Sequence, residues 1–254
     1  MGNIRRIVEE KVKRWDESVL DIFLETRQKD LRYASFDYCY NYFYKFDKIE
    51  DYEKSCAILW SYLSSWGMMR GSAPILKQSY YFLKPIIDYI AHCGAKHKDY
   101  WEIDFPYNDE KITKLSQIYN DLKDSINFSI LENNTNGVEA NKRKPSNTLI
   151  TKTMLGVFGV IPAFDRYVSD YFKYLPAKKD EKARINNKGV NEDTCKRINQ
   201  IKSIRNFPDL DLLLQDEKYN TLTFDENDVK RKYTKAKIID MYCFVVGQML
   251  NEAK

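Results

Sequence analysis

Apolar residues return every three or four positions along almost the whole chain, and little interrupts them. The 254 residues include only 9 Gly and 7 Pro, whereas a β-sandwich or barrel needs turn residues about every 8–12 positions. This periodicity predicts an all-α, multi-helix globular bundle. Ile4, Ile7, Val8, Val12, Trp15, Leu20, Phe23 and Leu24 mark an opening helix, and Ser35 is placed to cap FDYCYNYFYKF. Tyr52, Cys56, Leu59, Trp60 and Leu63 form a stripe that stops at Gly67. Helices are further expected over 74–92, bent at Pro85, and over 108–126, 147–158, 162–175 and 191–204. The chain closes with a helix whose buried face is Ile238, Ile239, Tyr242, Val245, Val246 and Met249. Residues 132–147 and 176–189 are polar and read as surface loops. The chain is expected to be one domain over 1–254, divisible into helical lobes 1–130 and 145–254 joined by the polar loop 131–146, with a cleft between them.

The bulk numbers narrow the class further. A formal charge of +4 permits a nucleic-acid partner without demanding one. Five scattered cysteines contain no CxxC, and only His92 and His97 could complete a metal site, so the expectation is reduced buried thiols, no metal and no disulfide framework. The charged N-terminus lacks a signal-peptide core, and no window approaches the roughly 18 apolar residues of a membrane span. These features predict a soluble cytoplasmic protein with no membrane partner and no cofactor. Nineteen Tyr and 13 Phe suit clefts that receive flat rings, although biased codon usage explains them equally well. P-loop, GxGxxG, HExxH and GxSxG signatures are absent.

One segment carries chemistry. TKTMLGVFGVIPAFDRY (151–167) sets Lys152 and Asp165 at the two ends of an apolar run. Lys152 lies near the start of a helix that Ser146 or Asn147 can cap, where a cation opposes the helix dipole by a few tenths of a kcal/mol. Two readings stay open. Burial disfavours an ammonium and readies an amine for nucleophilic attack, or the stem lies over the core while the head reaches water. Asp165 follows Pro162 at a helix start, where unpaired N–H groups hold a carboxylate ionised. It is either a plain cap or a carboxylate that stabilises a developing positive charge.

Taken together, TK, the apolar helix and VIPAFDRYV resemble the catalytic segment of the helix-hairpin-helix DNA glycosylases. The resemblance implies Lys152 at the Schiff-base lysine and Asp165 at the essential carboxylate. It covers about 30 residues. The family's glycine-rich hairpin is replaced here by KRKPSNTLITK, and the Lys-to-Asp spacing of thirteen residues (165 minus 152) is shorter than usual. The activity implied is excision of a damaged or modified base flipped out of DNA, with strand-cleaving lyase chemistry if the amine attacks C1′. DNA repair or defence against phages with modified bases would be its setting. The alternative is a non-catalytic helical module that binds nucleic acid or protein.

The rest of the expected site comes from two places. In LWSYLSSWGMMRGSAPILK (59–77), Trp66 and Met69 are expected as pocket walls, and Arg70 and Ser72 as phosphate contacts beside a tight interhelical turn. Lys142, Arg143 and Lys144, with Asn147 and Thr148, are expected on the DNA backbone, or else on a solvated face. Arg166 is expected to hold either Asp165 or a phosphate. Asp240 is expected in a buried structural hydrogen bond.

Overall fold

The computed structural model describes residues 6–7, 17–25, 32–70, 74–132, 144–174, 189–200, 216–221 and 231–253. Over these residues the fold is all-α. The helices are α1 (Glu17–Glu25), α2 (Ser35–Phe43), α3 (Tyr52–Ser65), α4 (Lys84–Lys96), α5 (Asp109–Glu132), α6 (Asn147–Phe158), α7 (Arg166–Tyr174), α8 (Glu192–Gln200) and α9 (Lys235–Glu252). The only described strands, β1 (Asn220–Thr221) and β2 (Arg231–Lys232), form a two-residue antiparallel ladder. No described helix is long and apolar enough to cross a membrane.

Two helices organise the core. In α6 every residue from Leu149 to Phe158 is buried, Thr151, Lys152 and Thr153 included, so this helix is wrapped on all sides rather than laid on a surface. α2, α3 and α5 pack around it. The second is α9, buried from Ala236 to Gly247, which lies against α7 and α1. One connected set of buried side chains runs from Val19 to Leu250. Each large apolar side chain in it is worth about 1.5–3 kcal/mol relative to exposure.

Several helix boundaries differ from the sequence expectation for local reasons. Ser35 is not a cap. A single 3₁₀ turn, Arg32–Ala34, runs directly into α2, and the Ser35 hydroxyl donates back to the Arg32 carbonyl at 2.6 Å. Pro85 begins α4 rather than bending a longer helix, as suits a residue with fixed φ and no N–H, and Pro74–Lys77 and Tyr80–Leu83 are separate 3₁₀ turns. Of the expected opening helix only Arg6–Ile7 and α1 fall within the described residues. Most of the two polar loops lies outside them.

α6 ends at Gly159, whose φ of 70° is left-handed, and its N–H returns to the Met154 and Leu155 carbonyls. The chain then crosses the core in non-helical conformation to Phe164, with Val160, Ile161, Ala163 and Phe164 all buried. Buried backbone outside a helix must find hydrogen-bond partners elsewhere. Here distant side chains supply them. Tyr107 Oη donates to the Val160 carbonyl at 2.9 Å, and Thr234 Oγ1 donates to that of Gly159 at 2.5 Å. The Ala163 N–H donates to Asp240 Oδ1 at 2.9 Å, and the Phe164 N–H to Thr151 Oγ1 at 2.9 Å. Thr148 Oγ1 completes the set by donating to the Phe164 carbonyl at 3.0 Å. This segment delivers Asp165.

Candidate active site

Lys152 and Asp165 meet. Lys152 sits in the second turn of α6, one turn beyond the strongest part of the helix dipole, and is only 3% exposed. Its Nζ lies 3.0 Å from Asp165 Oδ2. Asp165 Oδ1 accepts the N–H groups of Tyr167 and Val168, both at 3.0 Å, which makes Asp165 the N-cap of α7. The cap and the ion pair are thus made by one carboxylate, with an oxygen assigned to each. The Asp165 side chain retains 13% exposure, and that exposure opens onto a cavity.

The cavity has a volume of about 170 Å³ and is lined by Lys152 and Asp165 together with Trp66, Tyr167, Phe244, Met68 and the arginines Arg32, Arg70 and Arg166. Its aromatic wall is continuous. Trp66 meets Phe244 edge-on at 5.5 Å and Tyr33 at 5.3 Å, and Phe244 meets Tyr167 at 5.1 Å. α9 comes close enough to carry Phe244 here because Gly247 lacks a Cβ: one added there would stand 2.1 Å from the Tyr167 carbonyl oxygen. Trp66 ends α3. Its N–H closes on the Tyr62 carbonyl, and the Met68 N–H returns to that of Leu63 through the left-handed Gly67. This turn puts Met68, not Met69, on the cavity wall. Met69 packs against the core.

Two ammonium groups lie close to the Trp66 ring. Lys152 Nζ is 4.9 Å from its ring centroid and Lys237 Nζ is 5.3 Å from it. Sequence reading missed Lys237. It is 1% exposed, faces Phe36 at 4.4 Å and Phe23 at 5.1 Å, and pairs with Asp240 Oδ2 at 3.4 Å. Burial pushes its pKa below the ordinary lysine value, opposed by the charges of Asp240 and Asp37. Burial likewise raises Asp240 above the usual carboxylate range, opposed by Lys237 and Lys152. Asp240 does make the structural hydrogen bond expected of it, to Ala163 N–H, and also serves as the partner of this second lysine. A signal existed in the sequence: Lys237 and Asp240, three apart, are the only charged residues in the otherwise largely apolar Ala236–Val246, as Lys152 is the only charged residue of α6.

The other expected residues divide. Arg70 lines the cavity mouth and is exposed. Arg166 also lines it, but donates to Asn251 Oδ1 at 2.6 Å and lies 3.9 Å from Asp170 rather than holding Asp165. Thr148 spends its hydroxyl on the Phe164 carbonyl, and Ser146 rather than Asn147 caps α6, so neither Thr148 nor Asn147 faces the cavity. Lys144 is exposed before α6 and away from the cavity lining. Ser72, Lys142 and Arg143 lie outside the described residues. Arg32, Tyr167 and Phe244 were not foreseen. They come from segments far apart in the chain, and no local pattern marks them.

Among the described residues no group of three or more His, Cys, Asp or Glu is placed to hold a metal. All five cysteines are buried and unpaired. Comparison with protein-family models, curated proteins and solved structures finds no significant match to this chain.

Proposed function

We propose that this cavity is the reaction centre of an enzyme that breaks the N-glycosidic bond of a nucleotide displaced from DNA, acting in the reducing environment of the cytoplasm. The observation that carries the reading is the meeting of one amine and one carboxylate, 3.0 Å apart, on the wall of an aromatic cavity. Breaking that bond leaves an oxocarbenium-like sugar, which needs a fixed negative charge close by and little water. Asp165 supplies a carboxylate held by two helix N–H groups and set in the cavity lining. In the lyase version Asp165 Oδ2 accepts a proton from the Lys152 ammonium. The freed amine lone pair attacks C1′, and the electrons of the C1′–N bond leave with the base. Trp66, Tyr167 and Phe244 offer faces and edges to the displaced ring. The resemblance of 151–167 to the glycosylase segment supports the same assignment, and the five unpaired thiols support the compartment.

The test is incubation with duplex DNA carrying a panel of damaged and modified bases, followed by alkali to reveal abasic sites. Excision is expected, with Asp165→Asn at least about a hundredfold slower, since Asn preserves the cap while removing the charge. Borohydride trapping of a covalent complex that requires Lys152 would identify the lyase version. Failure of every substrate, or full activity in Asp165→Asn, would remove the enzyme reading.

One observation favours a second reading, that of a non-catalytic binding module. Both oxygens of Asp165 already have partners within the protein, as a purely structural cap and ion pair would. On that reading Asp165→Asn changes stability alone.

A further inference from the structure

The chain has only two histidines, and the fold brings them together outside the cavity lining. His92 lies near the end of α4, and His97 is the residue at which that helix stops. In an unbroken helix, positions five apart stand about 140° apart around the axis, so their rings diverge. Here the chain leaves the helical path at His97, with φ −135° and ψ 50°, and its N–H closes on the Cys93 carbonyl at 2.6 Å. The two ring centres come to 6.0 Å, with the planes 59° apart. His97 also lies parallel on Tyr100, with ring centres 5.0 Å apart and planes within 13°, and Tyr100 is itself buried. That stack fixes the plane of one imidazole, and the helix backbone fixes the root of the other. Both histidines are exposed, so an ion reaches them from solvent. Among the described residues no hydrogen bond occupies an imidazole nitrogen of either one.

The surrounding charges suit a cation. The C-terminal end of α4 carries about half a negative charge, and the Asp99 carboxylate acts on His97 through space. Lysines at this end of the fold are largely answered. Lys98 Nζ lies 3.0 Å from Asp47 Oδ2, and Lys114 Nζ lies 2.8 Å from Asp99 Oδ2 and 2.7 Å from Glu110 Oε1. Lys96 is exposed on the last turn of α4. Imidazole nitrogen then selects the ion, because it suits zinc, nickel and copper, whereas magnesium and calcium take oxygen. A metal about 2.1 Å from one nitrogen of each ring keeps the ring centres within about 6.4 Å of each other. The observed 6.0 Å falls inside that limit.

We propose that His92 and His97 are the two protein ligands of a binding site for a first-row transition-metal dication, with water in its remaining positions. The ion clasps the end of α4 to the 3₁₀ turn Lys98–Glu102, which begins directly after His97. Trp101 of that turn donates its indole N–H to the Val157 carbonyl of α6 at 2.9 Å, so the clasp braces the helix that carries Lys152. The site shares no residue with the cavity lining and stands apart from the excision chemistry.

The test uses the full chain without a histidine tag, stripped by a chelator and titrated calorimetrically with Zn²⁺, Ni²⁺, Mg²⁺ and Ca²⁺. One Zn²⁺ or Ni²⁺ per chain is expected, with a dissociation constant of about 1–200 µM, since two ligands supply about half of what a four-ligand site supplies. Mg²⁺ and Ca²⁺ are expected not to compete. His92→Ala and His97→Ala, both at exposed positions, should each weaken Zn²⁺ binding at least about tenfold. The five thiols are buried and no third imidazole exists, so proton NMR reads the ligands directly. Paramagnetic Ni²⁺ should broaden both imidazole signals together, well below one equivalent. Absence of Zn²⁺ and Ni²⁺ binding overturns the inference, as does binding that either variant leaves unchanged. Equal uptake of Mg²⁺, or broadening of one imidazole signal alone, overturns it too.

Discussion

Two lysine–aspartate pairs bring their ammonium groups to 4.9 and 5.3 Å from one indole, and they are built differently. Lys152–Asp165 has a carboxylate that caps a helix and retains a view of the cavity. Lys237–Asp240 is sealed, with Lys237 enclosed by Phe23, Phe36 and Trp66 and with Asp240 anchored by the Ala163 N–H. Burial shifts both members of the sealed pair toward their neutral forms. The two are linked, because Asp240 fixes the peptide two residues before Asp165. The sealed pair therefore acts as a support for the open one. A charge placed deep in a core is costly to maintain, and here it holds in position the charge that faces outward.

Three measurements bear on this division, the largest effect first. Asp240→Ala strips Lys237 of its partner and Ala163 of its acceptor inside the core, so a loss of about 3–5 kcal/mol is expected in denaturant unfolding. Lys152→Met keeps the stem's volume and leaves Asp165 its two backbone donors and access to the cavity, so a loss of about 1–2 kcal/mol is expected. Equal losses in the two variants would mean that both pairs are structural struts. The smallest effect is a pH slope. Lys237 has a folded pKa below its unfolded value of about 10.4. Between those values the unfolded chain carries the extra proton, so stability rises with pH and is lost as pH falls through the folded value. Five buried thiols with raised pKa values give an opposing fall above about pH 8 that both chains share, so the stability of the native chain relative to Lys237→Met is the quantity expected to rise with pH, followed by unfolding at steps up to about pH 9.5.

Local chemistry in the sequence made some of this legible. Aspartate near a helix start announced the cap, although α7 begins at Arg166 rather than at the expected 162 and leaves Pro162 in the buried crossing; the 3.6-residue period announced all-α architecture and the stop of α3 at Gly67. The meeting of Lys152 with Asp165 followed from reading the two ends of one apolar run as a unit. Misreadings arose where two local signals competed: Ser35 suits a cap, yet a 3₁₀ turn runs straight into α2 ahead of it. Pro85 can kink a helix or begin one, and the apolar run around it did not decide which. The far wall of the cavity was hidden for a different reason. Arg32, Tyr167 and Phe244 are brought together by helix packing, which no short window of sequence encodes.

The crossing from Gly159 to Phe164 also has a signature in isotope exchange. Amides outside helices ordinarily trade their protons for solvent deuterons early, because small local openings suffice. Those of Ala163 and Phe164 are clasped by Asp240 and Thr151 inside the core, so their release awaits the opening of α6 and α9 themselves. Two of the slowest-labelling positions should therefore lie in a stretch without regular secondary structure, and deuterium uptake there would report on the permanence of the foundation beneath Asp165.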